Sequence, residues 1–177
     1  MIEGIKNLPK DVQIIEQKIF NDNRGFLNCI YEEQNEIKLS GFSSKISSSK
    51  PNVARGMHWQ NNLSPQIKVI TVFEGSIMDF LINLDKDSPH FGNFYYFKLK
   101  ASDNKTIIIP ENYGHGFLAL EKVKFFYNCF GKYSPSNEIS INIVDLILKH
   151  TNLETDKIIL SNKDYEAVTF TDWKKTL

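Results

Sequence analysis

The sequence contains little of what several common kinds of functional site require. Cysteine occurs twice in 177 residues, at Cys29 and Cys129, without the spacing of a metal or redox site, so we expect two reduced packing residues. The net charge is zero, with 21 basic and 21 acidic residues, which provides no bulk attraction for nucleic acid. Neither a GxGxxG nor a GxSxG motif is present, which argues against nicotinamide-type hydride transfer and serine hydrolysis.

Long hydrophobic runs are also missing. No segment approaches the length of a membrane-spanning helix, and Met1–Gly4 begins no apolar signal-like stretch, so we expect a cytoplasmic protein that does not bind membranes. The hydrophobic content of 41% is sufficient for one domain with a full core. Because there is neither an internal repeat nor a boundary, residues 1–177 are predicted to form a single domain.

Short apolar segments rich in β-branched and aromatic residues recur along the chain, and they predict strands. The predicted strands are Val12–Ile15, Gly25–Tyr31, Ile67–Phe73, Ser76–Leu84, Phe94–Leu99, Thr106–Ile109, Gly116–Leu120, Phe125–Phe130 and Glu138–Val144. Turn-forming residues separate them, and helical periodicity is scarce. The fold class is therefore predicted to be all-β, a sandwich or barrel with a few short helices.

Three segments lack a strand pattern. Gln34–Leu39 has the composition of one short helix, and the mixed tail Leu153–Leu177 is left unassigned. The segment Ser40–Asn52 is rich in serine and lysine and precedes the densest group of reactive side chains. Two interpretations of this segment are open: it is a solvated loop, or it lines a pocket.

The densest group of reactive side chains contains His58, Gln60 and Lys68. The metal-binding motif of cupin barrels has His-x-His and then a glutamate that precedes a glycine by six intervening residues. His58 matches the first histidine, whereas Gln60 replaces the second and Lys68 replaces the glutamate. An ammonium group has no lone pair to donate, and His58 with His115 from the second cupin motif provides too few ligands. We expect a pocket without a metal.

The same side chains predict a type of reaction. A neutral imidazole can remove a proton near neutral pH, and a lysine beside it can stabilise an oxyanion. Arginine forks such as those of Arg24 and Arg55 suit a diphosphate. This set fits proton abstraction next to a carbonyl group in an anionic substrate. Each residue alone can equally be structural, and their joint arrangement is what favours a functional interpretation.

A series of short motifs makes the pattern more specific. The segments that carry them are Phe20–Phe26, Asn52–Gln60, Gln66–Val69, Ser88–Gly92, Ile109–Phe117, Phe126–Tyr127, Tyr133–Glu138 and Leu160–Asp164. In that order they resemble the F-x-D-x-R-G-F, N-V-x-R-G-x-H-x-Q, Q-x-K, S-P-T-F-G, I-P-x-x-x-x-H-G-F, F-x-Y, Y-x-P-x-x-E and L-S-x-K-D motifs of the dTDP-4-dehydrorhamnose 3,5-epimerase family. The resemblance implies a cupin-type jelly-roll β-sandwich.

The resemblance also implies an activity: epimerisation at C3, C5 or both of a nucleotide-linked 4-keto-6-deoxy sugar, through an enolate and without metal or cofactor. His58 would be the base, and Asp164 would orient it. Lys68 would stabilise the enolate oxygen, and Tyr127 would be the acid on the opposite face of the sugar. The implied substrate contacts are Phe20, Arg24, Ser43, Lys45, Arg55, Gln60, His115, Tyr133, Glu138 and Lys163. The expected partners are a nucleotide-diphosphate 4-keto sugar and, in a homodimer, a second copy of the chain.

Several substrate positions differ from the family pattern. Cys29 stands where the family often has a glutamate, and Ser43 and Lys45 replace a Q-x-N pair. Leu27 replaces a frequent phenylalanine, and the W-N-D segment is altered to Ile143–Asp145. We hypothesise that the reaction is kept and the substrate differs, in its nucleotide (CDP or GDP), in its sugar, or in the number of carbons inverted. Neutral drift is the alternative.

Other functions remain open. A sugar-nucleotide 3,4-ketoisomerase also uses a base and an enediolate, although an acid at Tyr127 favours epimerisation. A non-catalytic sugar-nucleotide binding module would be expected to lack His58, Asp164 or Tyr127, and all three are present. A metal-dependent cupin oxygenase is disfavoured by Gln60 and Lys68.

Overall fold

The chain forms two five-stranded antiparallel sheets and a two-stranded ribbon in a computed structural model that describes residues 7–32, 41–61 and 63–177. The strands are β1 (Gln13–Glu16), β2 (Lys18–Asp22), β3 (Gly25–Cys29), β4 (Phe42–Ser49), β5 (Ala54–Gln60), β6 (Ile67–Glu74), β7 (Ser76–Asn83), β8 (Phe94–Lys100), β9 (Lys105–Ile109), β10 (Tyr113–Ala119), β11 (Val123–Phe130) and β12 (Glu138–Ser140). The first sheet has the order β1-β9-β6-β11-β4, the second has the order β12-β5-β10-β7-β8, and β2 pairs with β3.

The helices of the described residues are short and lie mostly in the C-terminal part. They are α1 (Val144–His150), α2 (Asn162–Glu166) and α3 (Phe170–Lys174). Single 3-10 turns occur at Ala101–Asp103, Pro135–Asn137 and Thr155–Lys157. None of the helices in these parts of the chain has the length and apolar character that crossing a bilayer requires.

The alternation of side chains along β7 explains how the layers are arranged. Every residue of this strand is buried, and successive side chains point to opposite faces of a sheet. Ile77 and Leu81 pack between the two sheets, whereas Met78 and Phe80 pack on the outer face against residues of α1. The second sheet is therefore covered on both faces, by the first sheet and by the helices.

The predicted all-β fold is confirmed, and the arrangement is a jelly-roll sandwich. The nine predicted strands lie within one to three residues of observed ones at most ends. Glu138–Val144 is wrong at its C-terminal end, because the strand stops at Ser140 and Val144 begins α1. The reason is local: the backbone N–H of Val144 donates to Asn142 Oδ1 at 2.9 Å, a turn that competes with the extended conformation.

Three strands, β2, β4 and β5, were not predicted. The loop interpretation of Ser40–Asn52 is wrong, because Phe42–Ser49 is a full strand paired with β11. Its serines gave little β-propensity, and pairing with an apolar neighbour overrides that weak preference. The predicted helix Gln34–Leu39 lies outside the described residues.

Candidate active site

A cavity of about 450 Å³ opens between the two sheets and is lined by both of them and by the segment 159–164. Ten of the predicted site residues line it: Lys45, Arg55, His58, Gln60, Lys68, His115, Tyr127, Tyr133, Glu138 and Asp164. These residues are spread over more than a hundred positions of the sequence, and the sandwich brings them together.

His58 and Asp164 form a short hydrogen-bonded pair in the wall of the cavity. His58 Nε2 lies 2.6 Å from Asp164 Oδ1, and the Asp164 side chain is 5% exposed. Burial alone would raise the pKa of Asp164, but the hydrogen bond and charge of His58, the Ser161 hydroxyl and the Gly56 backbone outweigh it and lower that pKa. An ionised carboxylate only accepts hydrogen bonds, so Nε2 carries the proton and Nδ1 is left with the lone pair of a base.

Two glycines allow β5 and β10 to approach closely at this point. A Cβ atom on Gly56 would lie 2.8 Å from the carbonyl oxygen of His115, and one on Gly116 would lie 2.8 Å from that of Arg55. The register between β5 and β10 shifts beside this contact, and His115 pairs directly with His58. Because directly paired residues project on the same face of a sheet, both histidines reach the cavity.

Lys68 extends from β6 in the opposite sheet toward His58. Its Nζ donates to the backbone carbonyl oxygen of His58 at 2.8 Å. Burial, with a smaller contribution from the charge of Lys45, lowers the pKa of Lys68 to about 8. Lys68 is thus mostly an ammonium ion at neutral pH, and it loses its proton as the pH rises through about 8. A cation at this position can hold a developing oxyanion.

Tyr127 enters the cavity from β11 and pairs directly with Lys45 of β4. Lys45 Nζ lies 5.5 Å from the centroid of the Tyr127 ring and 5.3 Å from that of Tyr133, within the range of a cation–π contact. Burial raises the pKa of Tyr127, and the charge of Arg55 opposes this effect. The phenol is therefore neutral at physiological pH and can donate a proton.

A second histidine–carboxylate pair lies beside the first, since His115 pairs with His58 across β5 and β10, and the sequence did not predict this pair. His115 Nε2 lies 2.9 Å from Asp79 Oδ2, and both side chains are buried. Burial raises the pKa of Asp79, and the interaction with His115 opposes this rise. The available signal was the single carboxylate within the otherwise apolar segment Ile77–Ile82, since a buried Asp requires a partner.

The remaining polar residues form the rim of the cavity. Arg55 is held by hydrogen bonds from Nε to Ser49 Oγ at 3.0 Å and from its terminal nitrogen to the Ser48 carbonyl at 3.3 Å. Glu138 accepts hydrogen bonds from Lys163 and from the Tyr133 hydroxyl. The second contact holds Tyr133, an exposed aromatic ring, at the mouth of the cavity, and the first holds Glu138 in place.

Gln60 has structural partners within the same rim. Its Oε1 accepts hydrogen bonds from Ser64 Oγ at 2.9 Å and from the Ser134 backbone N–H at 3.0 Å. These bonds connect β5 to the loop that carries Tyr133. Within the described ranges, no group of three or more His, Cys, Asp or Glu side chains is arranged to hold a metal ion.

Four predicted substrate contacts are not part of the cavity wall: Phe20, Arg24, Ser43 and Lys163. Phe20 and Arg24 lie on the ribbon formed by β2 and β3, outside both large sheets. Phe20 is 59% exposed, and the Arg24 guanidinium pairs with Asp22 at 2.6 Å. The fold of one chain does not bring the ribbon to its own cavity.

Comparison with known proteins gives one consistent result. A family model described as dTDP-4-dehydrorhamnose 3,5-epimerase matches residues 8–172. The enzyme of that name from Salmonella typhimurium is 37% identical over 147 residues, which cover 80% of each chain. The crystal structure of the Elizabethkingia anophelis enzyme superposes with a TM-score of 0.78 at 31% identity, covering 92% of this chain and 93% of that one.

A further solved structure contains a bound sugar nucleotide. The epimerase from Legionella pneumophila, in complex with dTDP-4-keto-L-rhamnose, has a TM-score of 0.78 at 28% identity and covers 97% of this chain and 93% of its own.

Proposed function

This chain belongs to the dTDP-4-dehydrorhamnose 3,5-epimerase family, and we propose that its cavity inverts C3, C5 or both in a nucleotide-linked 4-keto-6-deoxy sugar. The protein is an isomerase that acts on a nucleotide-linked keto sugar. The observation that carries the proposed mechanism is the approach of His58 and Tyr127 from opposite sheets to one cavity. A base and an acid on opposite sides of a sugar ring are what inversion requires.

The reaction follows from the acidity of a carbon next to a ketone. His58 Nδ1 removes the proton, the C–H electron pair forms a double bond to C4, and the C4=O π pair moves onto the oxygen to give an enolate. Lys68 donates a hydrogen bond to that oxygen and stabilises its charge. The Tyr127 hydroxyl then donates its proton to the opposite face of the carbon, and the configuration is inverted. Proton exchange with solvent returns His58 and Tyr127 to their starting states.

The substrate's diphosphate is assigned to the cationic part of the same cavity. Arg55 is already oriented by Ser48 and Ser49, which leaves the rest of its fork for phosphate oxygens. Lys45 adds a second cation to the wall of the same cavity, and the exposed ring of Tyr133 suits stacking against a base. Substrate contacts by Gln60, His115 and Glu138, which line the cavity, are part of this proposal. Lys163 lies outside the wall and is proposed to act through its bond to Glu138. One functional domain over residues 1–177 is proposed as well.

The proposal is tested by incubating the protein in D2O with 4-keto-6-deoxy sugars linked to dTDP, CDP or GDP. We expect deuterium at C3, C5 or both in an epimerised product, because each abstracted proton is replaced from solvent. NMR detects the label and the configuration, and incubations without protein give the background exchange.

Each alternative has a distinct result in this assay. Movement of the keto group to C3 would identify a ketoisomerase, and binding without exchange would identify a binding module. A clear preference for the dTDP-linked 6-deoxyglucose derivative would contradict the hypothesis that the changes at Ser43 and Lys45 altered the substrate.

We also propose a homodimer, and exposed apolar residues support it. Phe26 and Leu27 on the ribbon are 72% and 69% exposed, and Phe42 and Ile46 on the edge strand β4 are 60% and 68% exposed. Exposed strand edges and apolar side chains favour pairing with another copy. In such a dimer the ribbon is free to present Phe20 and Arg24 to the partner's cavity, which would explain why they lie outside their own.

A charge on the ribbon is expected to dissociate the dimer. We predict that Phe26→Asp lowers the mass measured by light scattering from that of two chains to that of one, since burying a carboxylate without a partner is costly. Leu63→Asp is the matched control, because Leu63 is also exposed, at 83%, and is not part of the ribbon. A monomeric wild-type protein, or a Phe26→Asp variant with unchanged mass, would contradict the proposal.

A further inference from the structure

We propose that Ser161 is a positioning residue that holds the catalytic imidazole of His58 in place by acting through Asp164. Ser161 Oγ donates to Asp164 Oδ2 at 2.9 Å and accepts a hydrogen bond from the Asp164 backbone N–H at 3.1 Å. The other carboxylate oxygen, Oδ1, holds His58 Nε2 at 2.6 Å. The inference rests on the proposed function, in which His58 is the base.

The buried Asp164 side chain requires a hydrogen-bond donor at each of its two carboxylate oxygens. It is 5% exposed, so water has little access to replace a lost donor. Without the Ser161 hydroxyl, the carboxylate would keep only its contacts with His58 and with the Gly56 backbone, and Oδ2 would lose its hydroxyl donor. The hydroxyl of Ser161 fixes the second oxygen, and the carboxylate plane then defines the orientation of the imidazole.

Ser161 is itself held at a fixed distance from His58 by the backbone. The N–H of Ala54 donates to the carbonyl of Ile159 at 2.9 Å, and the N–H of Ile159 donates to the carbonyl of Asn52 at 2.9 Å. This short parallel bridge joins the segment before Ser161 to the start of β5, the strand that carries His58. Serine, carboxylate and imidazole therefore belong to one rigid unit.

The chain contains a second capping arrangement of the same kind, in which the carboxylate has no histidine partner. Thr169 Oγ1 donates to Asp172 Oδ2 at 3.0 Å and accepts from the Asp172 N–H at 3.1 Å at the start of α3. Asp172 is exposed, and its other oxygen pairs with Lys175 at 2.7 Å. The capping motif alone stabilises a helix, and only its continuation to His58 gives the first copy a role in positioning.

Matched variants separate these two roles. Ser161→Ala and Thr169→Ala each remove one capping hydroxyl. We expect Thr169→Ala to lower the melting temperature by a few degrees and Ser161→Ala to lower it more, because the buried Asp164 carboxylate loses a donor that water cannot replace. Ser161→Ala is also expected to lower kcat roughly tenfold, the effect of about one hydrogen bond, with the Kd for dTDP unchanged within about a factor of two. Thr169→Ala should leave kcat unchanged, and Ser161→Thr, which keeps the hydroxyl, should restore it.

A double-variant cycle tests whether Ser161 acts through Asp164. In an Asp164→Asn background, Ser161→Ala is expected to cause no further loss of kcat, because the carboxylate that it orients is already absent. An equal loss in both backgrounds, or full activity of Ser161→Ala, would overturn the proposal. An equal loss would point instead to direct contact between Ser161, which lines the cavity, and the substrate.

A spectroscopic measurement keeps the inference testable if no epimerase activity is found. ¹⁵N NMR observes the side chains of the four histidines of the chain, and a His58→Asn variant would assign the His58 signals. We expect the Nε2–H resonance to broaden in Ser161→Ala and to be unchanged in Thr169→Ala. Wild-type protein without turnover would refute the proposed function, whereas an unaltered His58 signal in Ser161→Ala would refute the positioning role.

Discussion

The Tyr127→Phe variant is expected to lose epimerisation while it still exchanges the substrate proton with D2O. Without the phenol there is no donor on the far face, but His58 still removes the proton and returns a deuteron to the side from which it came. Deuterium should therefore appear in recovered substrate of unchanged configuration. Net inversion should fall by about 10²–10⁴-fold, the usual contribution of a positioned acid, as measured by NMR of product and recovered substrate.

The His58→Asn variant is expected to behave differently from Tyr127→Phe. Loss of the base removes both exchange and inversion, again by about 10²–10⁴-fold. The matched controls are His90→Asn and Tyr165→Phe, which make the same changes at exposed positions. Proton exchange with D2O by His58→Asn at the wild-type rate would contradict the assignment of the base. Inversion by Tyr127→Phe at the wild-type rate would contradict the assignment of the acid.

The Lys68→Ala variant is expected to lower kcat by about 10²–10³-fold, because one oxyanion donor contributes roughly 2.7–4 kcal/mol of transition-state stabilisation in other enzymes. The Kd for dTDP should change little, since Lys68 is assigned to the sugar ketone and not to the nucleotide. Lys86→Ala, which removes an exposed lysine, is the control. Near-normal turnover of Lys68→Ala would show that the enolate is stabilised elsewhere.

The pH profile provides a second test of Lys68. Its pKa of about 8 means that the ammonium is present below this pH and is lost as the pH rises, so kcat of the wild type should fall above about pH 8. The pKa of Tyr127 is raised above its usual value, so its titration lies at higher pH. Arginine stays charged throughout this range. The Lys68→Arg variant should therefore have a lower kcat than the wild type, and that kcat should not fall near pH 8. An alkaline limb at the same pH in both proteins would exclude Lys68 as its origin.

The sequence was most informative where the signal is local. Short apolar segments rich in β-branched and aromatic residues predicted β7 and β11 within a few residues, because strands packed in the core have that composition. The motif around His58 predicted a pocket in which Lys68 replaces a metal ligand, and the fold places both residues in one cavity. The catalytic roles of His58, Asp164, Lys68 and Tyr127 remain predictions that the variants above test.

Weak local signals explain what was missed. The strand β4 is made largely of serines, which favour turns when considered alone, yet pairing with β11 holds it as a strand and places Lys45 opposite Tyr127. Asp79 lies 36 positions from His115, and no spacing rule connects them. The local contact of Ser161 with Asp164 is identical in kind to that of Thr169 with Asp172, so its connection to His58 is visible only in the folded chain.

By itself, the sequence determined the all-β class, the family and the identity of most side chains in the cavity, because these follow from the local composition of short segments and from short motifs. The tertiary structure decided which side chains meet: His58 and Tyr127 from opposite sheets, Asp79 behind His115, and Phe20 and Arg24 outside their own cavity. The physical reason is that strand pairing joins residues that are distant along the chain. Register and sheet packing, rather than sequence spacing, set the distances between functional groups.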